Sequence, residues 1–386
     1  MEIVARRYDT GDWVRVTVTN GAIASISPLP AADSPSHDCW VSPGFVDLQI
    51  NGYGGRDFTT PKLTVDDVVA ISQGLDRHGV TGYLATVTTN SCDVIAHALD
   101  VIDQACRESA IARDRILGVH VEGPYISPED GPRGAHPREH CRPPDWREFE
   151  AWQVAAGGRI KLLTLSPEYD NAPKFIASAV RAGVLIAIGH TNANADQIAS
   201  AVAAGARMST HLGNGAHPQI RRHPNYIWDQ LADDRLTASI IADGHHLPAA
   251  VVKCFTRMKT PARIVLVSDI TGMGGMPAGR YSTSLGEVEV LENGKLVVAG
   301  QRDLLAGAAL PIEHAIANLP RFAGVTLREA IEMASLRPLQ LINEPSAGLA
   351  VGARANLVVF ESPEHADHGP LRIRQTYVRG ACTFDG

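Results

Sequence analysis

Residues 184–214, with the sequence VLIAIGHTNANADQIASAVAAGARMSTHLGN, contain two short strand-like stretches joined by a helical one. Val184–Gly189 and Arg207–Thr210 have the apolar, strand-like pattern, and the segment between them has the spacing of an amphipathic helix. A histidine, His190 or His211, directly follows each strand. Because parallel strands in β/α folds open their carboxyl ends on one face, we expect these two imidazoles to lie close together.

The same alternation of strand and helix continues along most of the chain. Predicted strands are Cys39–Gln49, Gly82–Val87, Ile116–Val121, Ile160–Leu165, Leu185–Ile188, Met208–His211, Ala238–Ala242 and Ile264–Val267. Predicted helices include Val65–His78, Asp93–Arg107, Ala172–Ala182, Ala195–Ala204, Ala249–Met258, Leu310–Arg321 and Leu327–Leu341. Eight such alternations predict an α/β fold, a TIM-like (β/α)8 barrel.

Both ends of the chain are rich in short strands instead. Trp13–Val18 and Ala22–Ile26 flank an Asn-Gly turn, and Ala355–Phe360 and Arg372–Val378 alternate in the same way. We expect the two ends to pack together as a small β-sandwich beside the barrel. The predicted boundaries are residues 1–43 and 346–386 for the sandwich and 44–345 for the catalytic barrel. A further hairpin is predicted within Ser282–Ala299.

Composition and charge exclude several classes of function. The 386 residues carry a net charge of −7 with no basic run, so nucleic acid is not an expected partner. No apolar stretch approaches the roughly 18 residues of a membrane span, and the N-terminus lacks the pattern of a signal peptide. The six cysteines form no Cys-x-x-Cys pair, which indicates reduced thiols in a cytoplasmic enzyme.

Two carboxylates complete the pattern of polar residues at strand ends. Glu122 follows Arg115–Val121, and Asp269 follows Arg263–Ser268. One carboxylate and two imidazoles form a common ligand set for a catalytic divalent metal that keeps one position open. A lone buried glutamate costs several kcal/mol, roughly, unless it is paired or metal-bound. We therefore predict Glu122, His190 and His211 as ligands and Asp269 as the proton-transfer group; capping of the barrel edge is the alternative.

Other polar residues near strand ends suggest a second metal position or an anionic substrate. Gln49 and Asn51 end the first strand, where two imidazoles would complete a second metal site. Amides are weak neutral ligands, so a single metal is favoured; simple capping of the strand is the alternative. Arg222, His246 and His136 also follow barrel strands, and guanidinium and imidazole groups suit phosphate. Exposed arginine pairs are usually solvated surface, so this signal is weak alone.

Four motifs occur in one order: His-Val-Glu-Gly-Pro, Gly-His-Thr-Asn-Ala, Thr-His-Leu-x-Asn and Ile-Ala-Asp-Gly-x-His. With them the chain resembles the N-acetylglucosamine-6-phosphate deacetylase family of the amidohydrolase superfamily over nearly its whole length. The resemblance implies a homodimer with one divalent metal per subunit, zinc or another, held by Glu122, His190 and His211, and Asp269 as acid/base. Because no apolar stretch is long enough to span a membrane, no membrane partner is expected. The implied substrate contacts are Gln49, Ala135, His136, Asn214, Gly215, Arg222, His246, Leu305, Ala306 and Gly307.

The chain departs from the family pattern around the sugar. Gly213 and Ala216 replace a tyrosine and a methionine, and Ala306-Gly307-Ala308 replaces a serine-containing segment. We expect hydrolysis of N-acetyl-D-glucosamine 6-phosphate to D-glucosamine 6-phosphate and acetate, in amino-sugar catabolism or cell-wall recycling. N-acetylgalactosamine 6-phosphate, an unphosphorylated N-acetyl amino sugar and an N-acyl amino acid are alternative substrates. A catalytically decayed scaffold is a further alternative, against which the four intact polar residues argue.

Overall fold

Eight parallel strands lie side by side in chain order at the centre of the computed structural model, which describes residues 1–30, 38–283, 286–346, 348–362 and 369–386. The strands are Phe45–Ile50, Val80–Thr88, Ile116–Glu122, Ile160–Leu165, Leu185–Ile188, Met208–Ser209, Thr237–Ile240 and Ile264–Leu266. They are numbered below as the first to eighth barrel strands. The sheet is nearly closed on itself, which confirms the predicted (β/α)8 barrel.

The first and eighth barrel strands meet through a buried carboxylate. Asp47 accepts hydrogen bonds from the backbone amides of Gln49 at 3.0 Å and Ser268 at 3.1 Å. Just beyond, Ile50 forms an isolated parallel bridge with Ile270. Burial raises the pKa of Asp47 to about 7. This seam brings the ends of the two strands, and hence Gln49 and Asp269, to the same point of the barrel.

Helices follow the strands around the barrel. Their bounds are Val65–Gly74, Cys92–Glu108, Ala110–Arg115, Trp146–Ala155, Ala172–Arg181, Ala195–Ala204, Tyr226–Ala232, Ala249–Lys259, Ile312–Ala323, Leu327–Met333 and Leu336–Leu341. The last two replace the single helix predicted over Leu327–Leu341. The helix breaks before Leu336 because Pro338 has no N–H to donate to the Ala334 carbonyl, which instead accepts a hydrogen bond from the Val46 amide at 2.7 Å. No helix among the described residues is long and apolar enough to cross a bilayer.

Both ends of the chain join in one seven-stranded sheet. Its strands, in spatial order, are Ala381–Asp385, Arg372–Val378, Leu357–Glu361, Trp40–Pro43, Glu2–Arg7, Trp13–Thr19 and Ala22–Pro28. The link between the ends is the antiparallel pairing of Leu357–Glu361 with Trp40–Pro43. The prediction that the two β-rich ends combine beside the barrel is therefore confirmed.

A four-stranded antiparallel sheet follows the eighth barrel strand. Its strands are Gly279–Thr283, Gly286–Val290, Leu296–Val298 and Gln301–Leu305, called the insert sheet below. The hairpin predicted within Ser282–Ala299 corresponds to its middle strands, although residues 284 and 285 lie outside the described residues. Met273, Val288 and Leu296 are buried together in a small hydrophobic cluster of this region. The sheet therefore presents an apolar surface near the carboxyl end of the barrel.

Candidate metal centre and active site

Three predicted ligands converge at the carboxyl ends of the third, fifth and sixth barrel strands. Glu122 Oε1 lies 3.0 Å from His211 Nε2 and 3.3 Å from His190 Nε2. The two Nε2 atoms are 3.1 Å apart. All three side chains are buried. Strands that are distant in sequence thus bring one carboxylate oxygen and two imidazole nitrogens together.

The chemistry of this donor set fits a divalent metal. His190 Nδ1 lies 2.8 Å from the Pro132 carbonyl, so this nitrogen donates a hydrogen bond and Nε2 keeps its lone pair for a ligand. Burial alone would raise the pKa of Glu122, but the neighbouring His190 and His211 outweigh it and hold that pKa well below its usual range. The carboxylate is therefore ionised, as metal binding requires.

His136 lies at the edge of the same cluster. Its ring centroid is 4.4 Å from that of His190, and ligand atoms of Glu122, His136 and His190 all lie within 4.8 Å of one another. Burial, together with the neighbouring His190, lowers the pKa of His136 to about 3. Its imidazole is therefore neutral and offers one N–H donor and one lone pair.

The backbone is in the left-handed region at three of these strand ends. His190, His211 and Asp269 have φ values of 49°, 27° and 55°. Residues other than glycine rarely adopt this conformation, which costs about 1–3 kcal/mol each and is concentrated at functional sites. The turn after each strand therefore aims a side chain inward at the expense of local strain.

Asp269 faces the same cavity from the eighth barrel strand and is held by Asn51. The Asn51 side-chain amide donates to Asp269 Oδ1 at 2.7 Å and to the Asp269 carbonyl at 3.2 Å. Burial and the negative charge of Glu122 raise the pKa of Asp269 to about 6. A carboxyl with a pKa near neutrality is suited to accept and return a proton.

Gln49 lies beneath the ligands instead of facing the cavity. Its side-chain amide donates to Glu122 Oε1 at 2.9 Å, and the residue is buried. Both amides at the end of the first barrel strand, Gln49 and Asn51, are thus used as hydrogen-bond donors to carboxylates. Neither presents the pair of imidazoles that a second metal position would require.

A cavity of about 600 Å³ opens above these groups. It is lined by most of the predicted site residues, namely Glu122, Ala135, His136, His190, His211, Asn214, Gly215, His246, Asp269, Leu305, Ala306 and Gly307. The His246 ring is oriented by Asp243, whose Oδ2 lies 2.7 Å from Nδ1. Arg222 is exposed and lies outside the lining of the cavity. The predicted site residues therefore converge on one site, with the exception of Arg222.

Sequence patterns did not single out several polar residues of the cavity. Asn90, Arg133, Arg138 and Asp57 line it; Asn90 and Arg133 lie in loops, Arg138 begins the short 3-10 helix Arg138–His140, and Asp57 belongs to a two-stranded hairpin. Asp57 accepts a hydrogen bond from the Gly272 amide at 2.7 Å. Their positions in the sequence could have indicated them, because each residue follows the carboxyl end of one of the first three barrel strands, where loops build the site.

Gly213 replaces a tyrosine of the family motif, which suggested a change in the cavity wall. Gly213 is, however, not among the residues that line the cavity. A Cβ atom there would lie 3.1 Å from Leu247 and 3.2 Å from Phe255, both buried core residues. Its φ of 94° also favours glycine. The departure at Gly213 thus changes packing behind the site, whereas Ala306 does line the cavity.

Comparisons with known proteins agree with this geometry. The model of the amidohydrolase family matches residues 40–382. An N-acetylgalactosamine-6-phosphate deacetylase of Escherichia coli O157:H7 is 32% identical, with 97% of each chain covered. The N-acetylglucosamine-6-phosphate deacetylase of Bos taurus is also 32% identical, covering 90% of this chain and 84% of that protein. A mutant of the Mycobacterium smegmatis N-acetyl-D-glucosamine-6-phosphate deacetylase, solved with N-acetyl-D-glucosamine-6-phosphate, superposes with a TM-score of 0.84 at 29% identity, covering 96% of this chain and 94% of that one.

Proposed function

The chain belongs to the amidohydrolase family, and we propose that it is a metal-dependent deacetylase that converts N-acetyl-D-glucosamine 6-phosphate to D-glucosamine 6-phosphate and acetate. The observation that carries the proposal is the convergence of Glu122, His190 and His211 in a cavity that Asp269 also faces. Relatives and structural neighbours that act on this class of phosphorylated sugar support the choice of substrate. The direct test is release of acetate and free amine from the purified protein.

Each residue of the centre has a distinct role in this reaction. Glu122, His190 and His211 would hold a divalent metal, which when bound would supply Lewis acidity to the reaction. Asp269 accepts the proton of that water and returns it to the amine nitrogen as the C–N bond breaks. Asn51 holds Asp269 in position through its 2.7 Å hydrogen bond. Neutral His136 can donate to the carbonyl oxygen as negative charge develops there.

We expect about one tightly bound divalent metal per chain in active protein, with zinc as the first candidate. Gln49 and Asn51 already donate to Glu122 and Asp269, so the first barrel strand supplies no second pair of nitrogen ligands. Elemental analysis of the active enzyme measures the ratio. The Gln49→His, Asn51→His double variant is the matched comparison and should bind a second equivalent. Two equivalents in the unmodified enzyme would contradict the single-metal proposal.

The identity of the sugar needs a separate experiment, because one relative is a galactosamine deacetylase. The glucosamine substrate is favoured by the other relatives and by the sugar bound to the Mycobacterium smegmatis mutant. Catalytic efficiency should be compared for the 6-phosphates of N-acetylglucosamine and N-acetylgalactosamine. A higher value for the galactosamine compound would overturn the choice of sugar while leaving the deacetylase chemistry intact.

Phosphate recognition is tested by removing single arginines. If Arg222 binds the phosphate, Arg222→Ala should lower kcat/KM by about one to two orders of magnitude for the phosphorylated sugar only, since a charge-assisted contact contributes about 1.5–3 kcal/mol. Arg138→Ala is the matched comparison, because Arg138 lines the cavity and Arg222 does not. A silent Arg222→Ala with a large loss in Arg138→Ala would transfer the phosphate contact to Arg138.

Assembly and location belong to the same proposal. The family resemblance favours a homodimer, and the six free cysteines favour a reducing compartment such as the cytoplasm. Light scattering of the purified protein measures the mass in solution. A mass equal to that of one 41.2 kDa chain would remove the dimer from the proposal without affecting the chemistry.

A further inference from the structure

Asp243 lies behind His246 in the turn that follows the seventh barrel strand. Its Oδ1 accepts hydrogen bonds from the backbone amides of His245 at 2.8 Å and His246 at 2.9 Å, and its Oδ2 lies 2.7 Å from His246 Nδ1. The turn passes through Gly244, whose φ of 89° is in the left-handed region. Asp243 therefore uses one carboxylate oxygen on the backbone of the turn and the other on the imidazole.

The same turn is also held by a helix that packs against it. The side-chain amide of Asn318, on the helix Ile312–Ala323, donates a hydrogen bond to the Ala242 carbonyl at 2.9 Å. The side chains of Asp243 and His246 are only 5% and 7% exposed. The orientation of the His246 ring is thus set by the protein before any ligand binds.

The ionised carboxylate determines which ring nitrogen of His246 carries a hydrogen. Burial alone would raise the pKa of Asp243, but the neighbouring His246 and the two backbone amides outweigh it and lower that pKa to about 2. An ionised carboxylate can only accept hydrogen bonds, so His246 Nδ1 carries a hydrogen and donates it to Asp243. The ring nitrogen left for a ligand is consequently Nε2.

His246 Nε2 is available to a ligand in the cavity. His246 lines the cavity, whereas Asp243 is not among the lining residues. Within the described part of the chain, Nε2 has no hydrogen-bond partner in the protein and is not one of the buried polar atoms. The seventh barrel strand is next to the eighth, and His246 is close enough to Asp269 to interact with it electrostatically. Nε2 can therefore bind an oxygen of a substrate that lies beside Asp269.

We propose that Asp243 is a positioning residue that acts through His246, by holding Nε2 toward the cavity for a hydrogen bond to an oxygen of the sugar substrate. This inference rests on the proposed deacetylase function and adds a residue that does not itself touch the substrate. Asparagine at this position can still accept from the two backbone amides through Oδ1. Its NH2 group, however, donates to Nδ1 where the carboxylate accepted, which moves the ring hydrogen to Nε2.

Asp243→Asn should raise KM for N-acetyl-D-glucosamine 6-phosphate about tenfold or more, with a smaller change in kcat, because a supporting hydrogen bond to a binding histidine is lost. A purely structural role would lower the fraction of active protein, and hence kcat, without changing KM. Asp233→Asn is the matched control, because Asp233 accepts from the Arg235 amide at 2.9 Å in a similar turn but lies outside the cavity lining. The control should keep KM within about twofold. An unchanged KM in Asp243→Asn would overturn the proposal.

A double-mutant cycle tests whether Asp243 acts through His246. In the His246→Ala background, Asp243→Asn should change KM by less than about twofold, because the carboxylate then has no imidazole to position. The full effect in that background would overturn the proposal.

Nitrogen-15 NMR of histidine-labelled protein gives a readout that needs no substrate. The signals of His246 are identified by their loss in His246→Ala. Nδ1 should carry a hydrogen in the unmodified protein and lose it in Asp243→Asn, and Nδ1 without a hydrogen in the unmodified protein would overturn the proposal. If the NMR result is as expected but the unmodified enzyme hydrolyses no N-acetyl-D-glucosamine 6-phosphate, the proposed function fails and the positioning of His246 stands.

Discussion

Asp269→Asn is expected to lower kcat by two or more orders of magnitude while metal content and KM stay near normal. A positioned general acid/base contributes about 10²–10⁴-fold, and asparagine cannot accept the proton of water. The replacement preserves shape, and its side chain can still contact Asn51, which lies 2.7 Å from Asp269 Oδ1. Steady-state kinetics with N-acetyl-D-glucosamine 6-phosphate, together with elemental analysis, measure the three quantities separately.

Asp57→Asn is the control for this experiment. Asp57 is another carboxylate of the cavity lining, bound to the Gly272 amide, and it has no role in the proposed proton transfer. Its replacement should cost much less in kcat than the replacement of Asp269. Near-normal turnover in Asp269→Asn, or an equal loss in Asp57→Asn, would reject Asp269 as the acid/base.

His190→Ala and His211→Ala are each expected to remove the metal and at least about 99% of activity. Even residues that only orient a metal ligand contribute about 10–100-fold to metal affinity, so a ligand should contribute more. Removing either imidazole also leaves the Glu122 carboxylate, buried with 3% of its surface exposed, with one fewer partner. Metal per chain after gel filtration is the primary measurement, and activity without added metal is the second.

His245→Ala provides the control among the histidines. His245 is adjacent to His246 but lies outside the cavity lining, where its ring is 3.1 Å from the Asn293 carbonyl. This variant should retain both metal and turnover. If His211→Ala kept a full equivalent of metal, the ligand set would have to include His136, whose ligand atom groups with those of Glu122 and His190.

The barrel and the convergence of the site were predictable because both follow from periodic patterns. The strand order follows from the succession of apolar strands, which are followed by Glu122, His190, His211 and Asp269. That order determines which side chains lie close together. Sequence alone therefore predicts that these groups are neighbours. Their chemical roles rest on the donor types and on the experiments above.

The parts that escaped prediction have different causes. The break between Leu327–Met333 and Leu336–Leu341 had a local signal in Pro338, which cannot donate to the Ala334 carbonyl, but the donor that replaces it, Val46, lies almost 300 residues earlier. Likewise, the motif around Gly213 did not reveal that this position faces Leu247 and Phe255. Residues outside the barrel strands, such as Arg138, lack the strand geometry that locates a side chain in advance.

The left-handed backbone at His190, His211 and Asp269 has a consequence for the evolution and engineering of this catalyst. Each of the three residues has a backbone conformation that glycine would adopt at a lower cost in free energy. These three turns therefore lower the stability of the barrel at its active site. Selection for stability alone would favour residues at these positions that abolish the chemistry. A more thermostable form should therefore carry its changes elsewhere, for example in the helices and the seven-stranded sheet, and leave these three turns untouched.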